Sequence, residues 1–270
     1  MFSQYLRDYE ERIDMTQSHK KAIVTGATSG IGKEVAKLLA ERGWLVGIAG
    51  RRVDRLEAMR QSHEGIVCCQ QIDVTSPEAP SRLRTLIDQL GGMDLYFHSS
   101  GIGWQNNLLD VEKELKTMET NGLGFVRMVD TAFNWFAESS SEGKDSTTSH
   151  PSYRIACITS IAGTKGLGAA PAYSSTKRFQ SHYLECLTQQ ARMRHLNISI
   201  TDIRPGFVKT DLIAGSNYPL QLDAKDVAKS IVRTVEKGKS VKVIDWRYAL
   251  LVFLWSLIPR WIWTRMMIAK

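Results

Sequence analysis

The chain has 270 residues, 43% of them hydrophobic, enough for one large α/β domain or two small ones with a sizeable core. Its net charge is +7, but seven basic residues against one acid fall in residues 237–270, so the excess belongs to a tail and argues against a nucleic-acid groove. Four cysteines, Cys68, Cys69, Cys157 and Cys186, form no Cys-x-x-Cys pair; a disulfide framework and a zinc site are excluded, and, since three lie in apolar strand or helix patterns, buried free thiols in a reducing, cytoplasmic compartment are expected.

Residues 1–19 read as a polar arm without the apolar core of a signal peptide. Residues 20–245 read as one domain. Its strand patterns are 21–25, 44–49, 65–72, 93–97, 153–159, 198–203 and 241–244. Helical patterns lie between them, to about Arg42 after the first strand and then at 55–61, 80–90, 108–136, 173–195 and 224–236. Gly43 and the Gly91-Gly92 pair read as helix stops. Residues 137–152 are rich in Ser, Thr, Gly and charge and read as a loop. This alternation predicts a Rossmann-like α/β fold: a doubly wound, parallel, seven-stranded sheet with helices on both faces. Ligands of such sheets bind outside the carboxyl ends of the strands.

The motifs sit at that edge. After the first strand comes Gly26-Ala-Thr-Ser-Gly30-Ile-Gly32, leading into a helix. Glycines permit positive φ and close approach of backbone amides to a pyrophosphate, and the helix N-terminus favours the anion. After the second strand stand Arg51 and Arg52, with no acid at the strand end. An acid there holds ribose hydroxyls, whereas arginine accommodates a 2′-phosphate, so NADP(H) is expected over NAD(H). Asp73 follows the third strand; it either accepts from an adenine amino group or caps the next turn. Asn121 lies inside the long helix pattern, where it is a poor helix former and, with Gly122 and Gly124, loosens the helix. Tyr173 and Lys177 are four residues apart, on one helix face, and Ser160 precedes Tyr173 by thirteen. A phenol titrates near ~10, and a fixed ammonium beside it lowers that value. Tyrosine, lysine and a hydroxyl donor make a proton-transfer device aimed at a carbonyl or alcohol oxygen.

Over residues 20–235 this set resembles the classical short-chain dehydrogenase/reductase family. The matching pieces are Thr25-Gly26-Ala-Thr-Ser-Gly30-Ile31-Gly32, Asp73-Val74, Gly101, Asn121, Ser160, Tyr173-Ser-Ser-Thr-Lys177 and Pro205-Gly206-Phe-Val-Lys-Thr210. The resemblance implies a catalytic tetrad of Asn121, Ser160, Tyr173 and Lys177. In it the tyrosine exchanges the proton, the serine orients the substrate oxygen, and the lysine binds ribose and lowers the tyrosine pKa. The asparagine holds a water linking the lysine to solvent. It further implies cofactor contacts at Thr28, Ser29 and Ile31 of the turn, at Val74, at Ser100 with Gly101, and at Pro205, Gly206, Val208 and Thr210 around the nicotinamide. A homodimer or homotetramer through the helices around Asn121 and Tyr173 is also implied. The family commonly has Asn-Asn-Ala-Gly after the fourth strand; this chain has His98-Ser99-Ser100-Gly101, with His98 read as a buried or edge residue rather than a catalyst and the local strand bonding in question. Phe179 stands where a small residue is usual.

Residues 246–270 are the largest departure. Residues 248–258 carry no charge, yet as a helix they span only about 16 Å, half a bilayer core. Trp246, Trp255, Trp261 and Trp263 with nearby arginines resemble an interfacial helix, placing the tail on the inner face of a membrane; a partner subunit or the substrate cleft are the competing seats. The expected activity is NADP(H)-dependent hydride transfer to or from a small, uncharged ketone or secondary alcohol, a lipid-like one fitting the membrane seat of the tail. A cofactor-binding regulator or membrane-surface scaffold of the same fold is the alternative.

Overall fold

The computed structural model describes residues 19–141, 153–211, 215, 218 and 220–266. Seven strands form one sheet: β1 (Lys21–Thr25), β2 (Leu45–Gly50), β3 (Ile66–Gln71), β4 (Leu95–His98), β5 (Tyr153–Ile158), β6 (Ile198–Arg204) and β7 (Val241–Val243). Their order is β3-β2-β1-β4-β5-β6-β7, and every pairing is parallel. The chain winds outward from β1 to β3, then crosses back to place β4 on the other side of β1. The loops after β1 and β4 therefore diverge and open a crevice at the carboxyl edge.

Alternation along each strand decides which face each side chain serves. On β1, Ala22 and Val24 join one core with Phe97 of β4, while Ile23 joins the other with Tyr96. The first core is closed by α1 (Gly30–Glu41), α2 (Val53–Ser62) and α7 (Ala224–Glu236). The second is closed by α3 (Ala79–Leu90), α5 (Phe125–Ser141) and α6 (Pro171–Met193). Phe97, Phe125 and Phe136 have no exposed surface. Each such side chain contributes about 1.5–3 kcal/mol through burial, so both helical layers are held to the sheet from both sides.

The structure corrects the single helix expected over 108–136. A short helix, α4 (Val111–Met118), is followed by a π-helical turn at Glu119–Gly124 before α5 begins. Asp110 caps α4 by accepting from the Glu112 amide, which fixes the later start. The wide turn falls on the Asn121-Gly122 pair that sequence reasoning singled out. The loop expected at 137–152 is also shorter, because α5 runs to Ser141. Ala137 is in the core, Arg84 pairs with Glu138 at 2.9 Å, and the Ser140 hydroxyl donates to the Phe136 carbonyl instead of breaking the helix. The remainder of that loop, 142–152, and residues 1–18 lie outside the described residues.

The tail forms α8 (Trp246–Leu257) and a last turn, α9 (Arg260–Trp263). Among the described residues no helix is long and apolar enough to cross a membrane.

Candidate active site

The glycine turn is explained by crowding. Gly26 has φ +73°, and a Cβ there would stand 2.6 Å from the Ser99 carbonyl carbon of the β4 loop. A Cβ on Gly32 would stand 2.4 Å from the Gly26 carbonyl oxygen. The spacing of the glycines is thus what lets the turn fold onto itself and onto the β4 loop, leaving the first amides of α1 facing the crevice. Ile31 anchors the turn in the core, and Thr210 packs against Gly30, with its Cγ2 3.0 Å from where a Cβ would be.

Arg52 reaches this turn. Its guanidinium donates to the Thr28 hydroxyl at 2.8 and 3.1 Å and to the Ser29 hydroxyl at 2.8 Å. Arg52 and Arg55 each lie 3.6 Å from the same Asp211 carboxylate oxygen. The two guanidinium groups thus already share one carboxylate oxygen. Arg55 was not singled out from sequence; it sits one turn into α2, where it looks like a solvated helix residue. Arg51 is exposed, and its charge acts on Asp73. Asp73 caps its turn: Oδ1 accepts from the Thr75 amide at 3.0 Å and hydroxyl at 2.8 Å. Partial burial works against its carboxylate, but the Thr75 bonds and the Arg51 and Lys116 charges outweigh this and hold the pKa below the usual value. Beside it, Val74 is buried against Gly124, which must be glycine because a Cβ would stand 2.8 Å from the valine.

The tetrad residues converge on the end of the sheet beyond β4 and β5. Ser160 ends β5 and caps a 3₁₀ turn at Ile161–Gly163, its hydroxyl accepting from the Ala162 amide at 3.1 Å. Pro171 opens α6, which carries Tyr173 and Lys177. Tyr173 keeps part of its surface accessible, as a group that meets a substrate requires. Gly103 makes room for its ring, because a Cβ there would fall 2.3 Å from Tyr173 Cδ2. Sequence reasoning missed this glycine, which carries no motif. Gly101 backs the other two members: its missing Cβ would lie 3.3 Å from Asn121 Oδ1 and 3.5 Å from Lys177 Nζ. Ser100 sits half-buried between these loops.

One expectation about the tetrad needs correction. The net shift of the Tyr173 phenol is upward, not downward. The Lys177 ammonium lies 5.8 Å from the ring centroid and donates to the Ile158 carbonyl at 3.0 Å and to Gln180 Oε1 at 2.9 Å. Burial pushes the Tyr173 phenol up, opposed by its bond with Ser160. Burial likewise pushes Lys177 down to about 8, against the charges of Cys157 and Asp202, which favour the ammonium. The Asn121 side chain acts as a strand-like clamp: Oδ1 accepts from the Ile102 amide at 2.9 Å and Nδ2 donates to the Ile102 carbonyl at 2.7 Å. Its own carbonyl accepts from Gln180 Nε2 at 2.9 Å. Gln180, missed from sequence, therefore bridges the lysine and the asparagine.

His98 is fully buried, bonded through Nδ1 to the Tyr96 hydroxyl at 2.9 Å, and held neutral with a pKa pushed down to about 3 by burial and the Lys177 charge. It pairs normally between Thr25 and Cys157, so the altered motif leaves the sheet intact. Phe179 faces outward and packs on Tyr183.

The far wall comes from the segment after β6. The Pro205 carbonyl accepts from Ile161, and Val208 bridges to Leu222. Tyr248 of α8 occupies the space above Gly206, where a Cβ would fall 2.3 Å from the ring. Its hydroxyl accepts from the Phe207 amide and donates to the Leu220 carbonyl. Trp263 donates to the Gly166 carbonyl at 2.7 Å, and Lys165 donates to the Ile258 carbonyl at 2.7 Å. The tail is thus fastened to both segments that flank the tyrosine.

Residues 20–219 match the family described as short chain dehydrogenase. The chain belongs to that family. An uncharacterized oxidoreductase of Myxococcus xanthus is 30% identical over 248 residues, covering 90% of this chain and 94% of the relative. Dehydrogenase/reductase SDR family member 7B of Rattus norvegicus is 28% identical over 267 residues, covering 88% and 77%. Among solved structures, an alcohol dehydrogenase of Thermococcus sibiricus complexed with 5-hydroxy-NADP superposes with TM-score 0.72 at 21% identity, covering 84% of this chain and 96% of that one. An actinorhodin polyketide ketoreductase with NADPH gives 0.70 at 24% identity, covering 85% and 97%. The fold of this short-chain dehydrogenase is thus the one on which those two proteins are built.

Proposed function

We propose that this short-chain dehydrogenase is an NADP(H)-dependent oxidoreductase acting on a small, uncharged ketone or secondary alcohol. The observation that carries the reading is the meeting of Ser160, Tyr173 and Lys177 at the same sheet edge as an arginine-lined glycine turn. The residues present fit the dinucleotide: the Gly26 and Gly32 positions of the cradle have no room for a side chain, and Arg52 and Arg55 already share an anion. Gly26, Thr28, Ser29, Gly30, Ile31 and Gly32 would hold the pyrophosphate, with Arg52 and Arg55 at the 2′-phosphate. Asp73 and Val74 would border the adenine, and Ser100, Gly101, Pro205, Gly206, Val208 and Thr210 the nicotinamide end. When bound, NADPH supplies the hydride.

The chain's own residues handle the proton. The raised pKa of Tyr173 keeps the phenol protonated at neutral pH, the form a proton donor to a developing alkoxide needs. Ser160 shares the substrate oxygen. Lys177, with a pKa of about 8, keeps most of its charge at neutral pH and favours the phenolate left behind. The apolar and small residues around Leu167, Ala169 and Phe207 favour an uncharged substrate. NADPH consumption with a panel of uncharged ketones, wild type against Tyr173→Phe, tests the assignment. The regulator or scaffold reading gains only if no ketone or alcohol supports turnover.

The tail extends this reading to a membrane surface. Leu250, Phe253, Leu254, Leu257, Trp261 and Met266 are all exposed on or beside α8 and α9. From Trp246 to Met266 the charged residues are Arg247, Arg260 and Arg265, with no acid. An apolar face edged by arginines complements an anionic lipid surface, and it lies beside the cleft through which an apolar substrate would enter. The full-length protein is expected to sediment with anionic phospholipid vesicles and not with zwitterionic ones, and Phe253→Asp/Leu254→Asp to abolish this. Absence of sedimentation, with a self-association in sedimentation velocity that the same variant removes, would give the face to a second copy. That experiment also reads the expected homo-oligomer, which Leu115, Met118, Leu123 and Phe179, exposed on α4 to α6, support.

A further inference from the structure

We infer that Gln180 is a positioning residue for the proton chemistry, a buried amide strut that ties the Lys177 ammonium to the Asn121 carbonyl. The inference deepens the oxidoreductase reading and rests on it for its catalytic meaning. Gln180 has no exposed surface and lies three residues after Lys177 on α6. Burying a primary amide is unfavourable unless its groups are bonded. Both ends are bonded, and both to the tetrad: Oε1 accepts from Lys177 Nζ at 2.9 Å, and Nε2 donates to the Asn121 carbonyl at 2.9 Å.

The geometry has two consequences. Lys177 has three N–H donors, and the Ile158 carbonyl and Gln180 take two of them. One remains for the reacting side, where Gly101 leaves the space beside Nζ open to backbone approach. The Asn121 carbonyl takes the other end of the same amide, so one buried side chain ties the lysine to the asparagine backbone.

The groups around Lys177 are few. Tyr173 shares its helix. Cys157 of β5 and Asp202 of β6 favour the ammonium, and His98 of β4 is neutral. Asp202 is itself committed to Thr159 at 2.5 Å and to Arg204. Gln180 is thus the nearest neutral acceptor that a single substitution can remove without changing any of these.

The test is a 13C NMR titration of the lysine ε-carbons in the cofactor-free protein, with Lys177 assigned by its loss in Lys177→Met. Gln180→Met removes the acceptor and should lower the Lys177 pKa by about one pH unit. Gln180→Glu keeps an acceptor, adds a charge and should raise it by at least about one unit. The acid limb of alcohol oxidation should move to higher pH in Gln180→Met, because a less charged Lys177 favours the Tyr173 phenolate less. A Lys177 titration that stays at its wild-type position in the folded variants, with only thermal stability reduced, would overturn the inference and leave Gln180 a structural tie. If Gln180→Met does not fold, the near-isosteric Gln180→Glu still decides by the sign of its shift. Opposite shifts of Lys177 without turnover in any protein would keep the strut and remove the oxidoreductase reading.

Discussion

Tyr173→Phe is expected to lower carbonyl-dependent NADPH turnover by about 10²–10⁴-fold, the range of a lost general acid, while NADPH affinity stays within about threefold. The ring occupies a slot made by Gly103 and by its own helix, and phenylalanine fills the same slot. What disappears is the hydroxyl that meets Ser160 and delivers the proton. Ser160 keeps its bond from the Ala162 amide, so the 3₁₀ turn and the sheet end are undisturbed. Affinity is preserved because the cradle at Gly26 to Gly32 and the arginines beside it lie at other loops of the edge. Steady-state kinetics and a fluorescence titration on the same preparation check both halves. Turnover retained above about a tenth of wild type would give the proton to another group.

Gly103→Ala is expected to act through the same ring. The added methyl would fall 2.3, 2.8 and 2.9 Å from Tyr173 Cδ2, Cε2 and Cγ, so the ring must move. The contacted atoms belong to a rigid aromatic side chain, not to a flexible end that swings aside. Displacement by about 1 Å from a reactive geometry costs on the order of 10²-fold in rate. The expected result is a fall in kcat of about that size, with NADPH affinity nearly unchanged and near-ultraviolet circular dichroism reporting the moved tyrosine. Wild-type kcat in Gly103→Ala would mean that the loop after β4 moves instead and the ring does not depend on it.

The sheet was legible because its signals are redundant. Ile23 and Tyr96 alternate with their neighbours, each strand ends at a polar or glycine turn, and each helix carries one apolar face. The glycine turn and the tetrad were legible because their residue types are chemically narrow and their spacing crosses several elements. Other parts had no local signal. Gly103 is needed only because Tyr173 arrives opposite it, from a helix nearly seventy residues later. Gln180 reads as an ordinary polar residue of an amphipathic helix until the π-helical turn brings the Asn121 carbonyl to it. Arg55 joins Arg52 only through Asp211, which a distant loop supplies. The relation between Lys177 and Tyr173 was half legible: four-residue spacing puts them on one face, but not which acceptors the ammonium takes. The tail's helical character followed from its uncharged run, whereas its bonds to Lys165, Gly166, Phe207 and Leu220 depend on where the loops around the tyrosine stand.

In the proposed function, this edge holds a nicotinamide dinucleotide by its 2′-phosphate in front of Tyr173. Fluorescence titration of NADPH and NADH, on wild type and on Arg52→Ala/Arg55→Ala, tests it most directly. NADPH is expected to bind at least about tenfold tighter than NADH, the scale of one or two charge-assisted contacts, and the double variant to bring the two together by weakening NADPH alone. Equal binding of both by wild type would contradict the role of the arginines, and binding of neither would contradict the dinucleotide site itself.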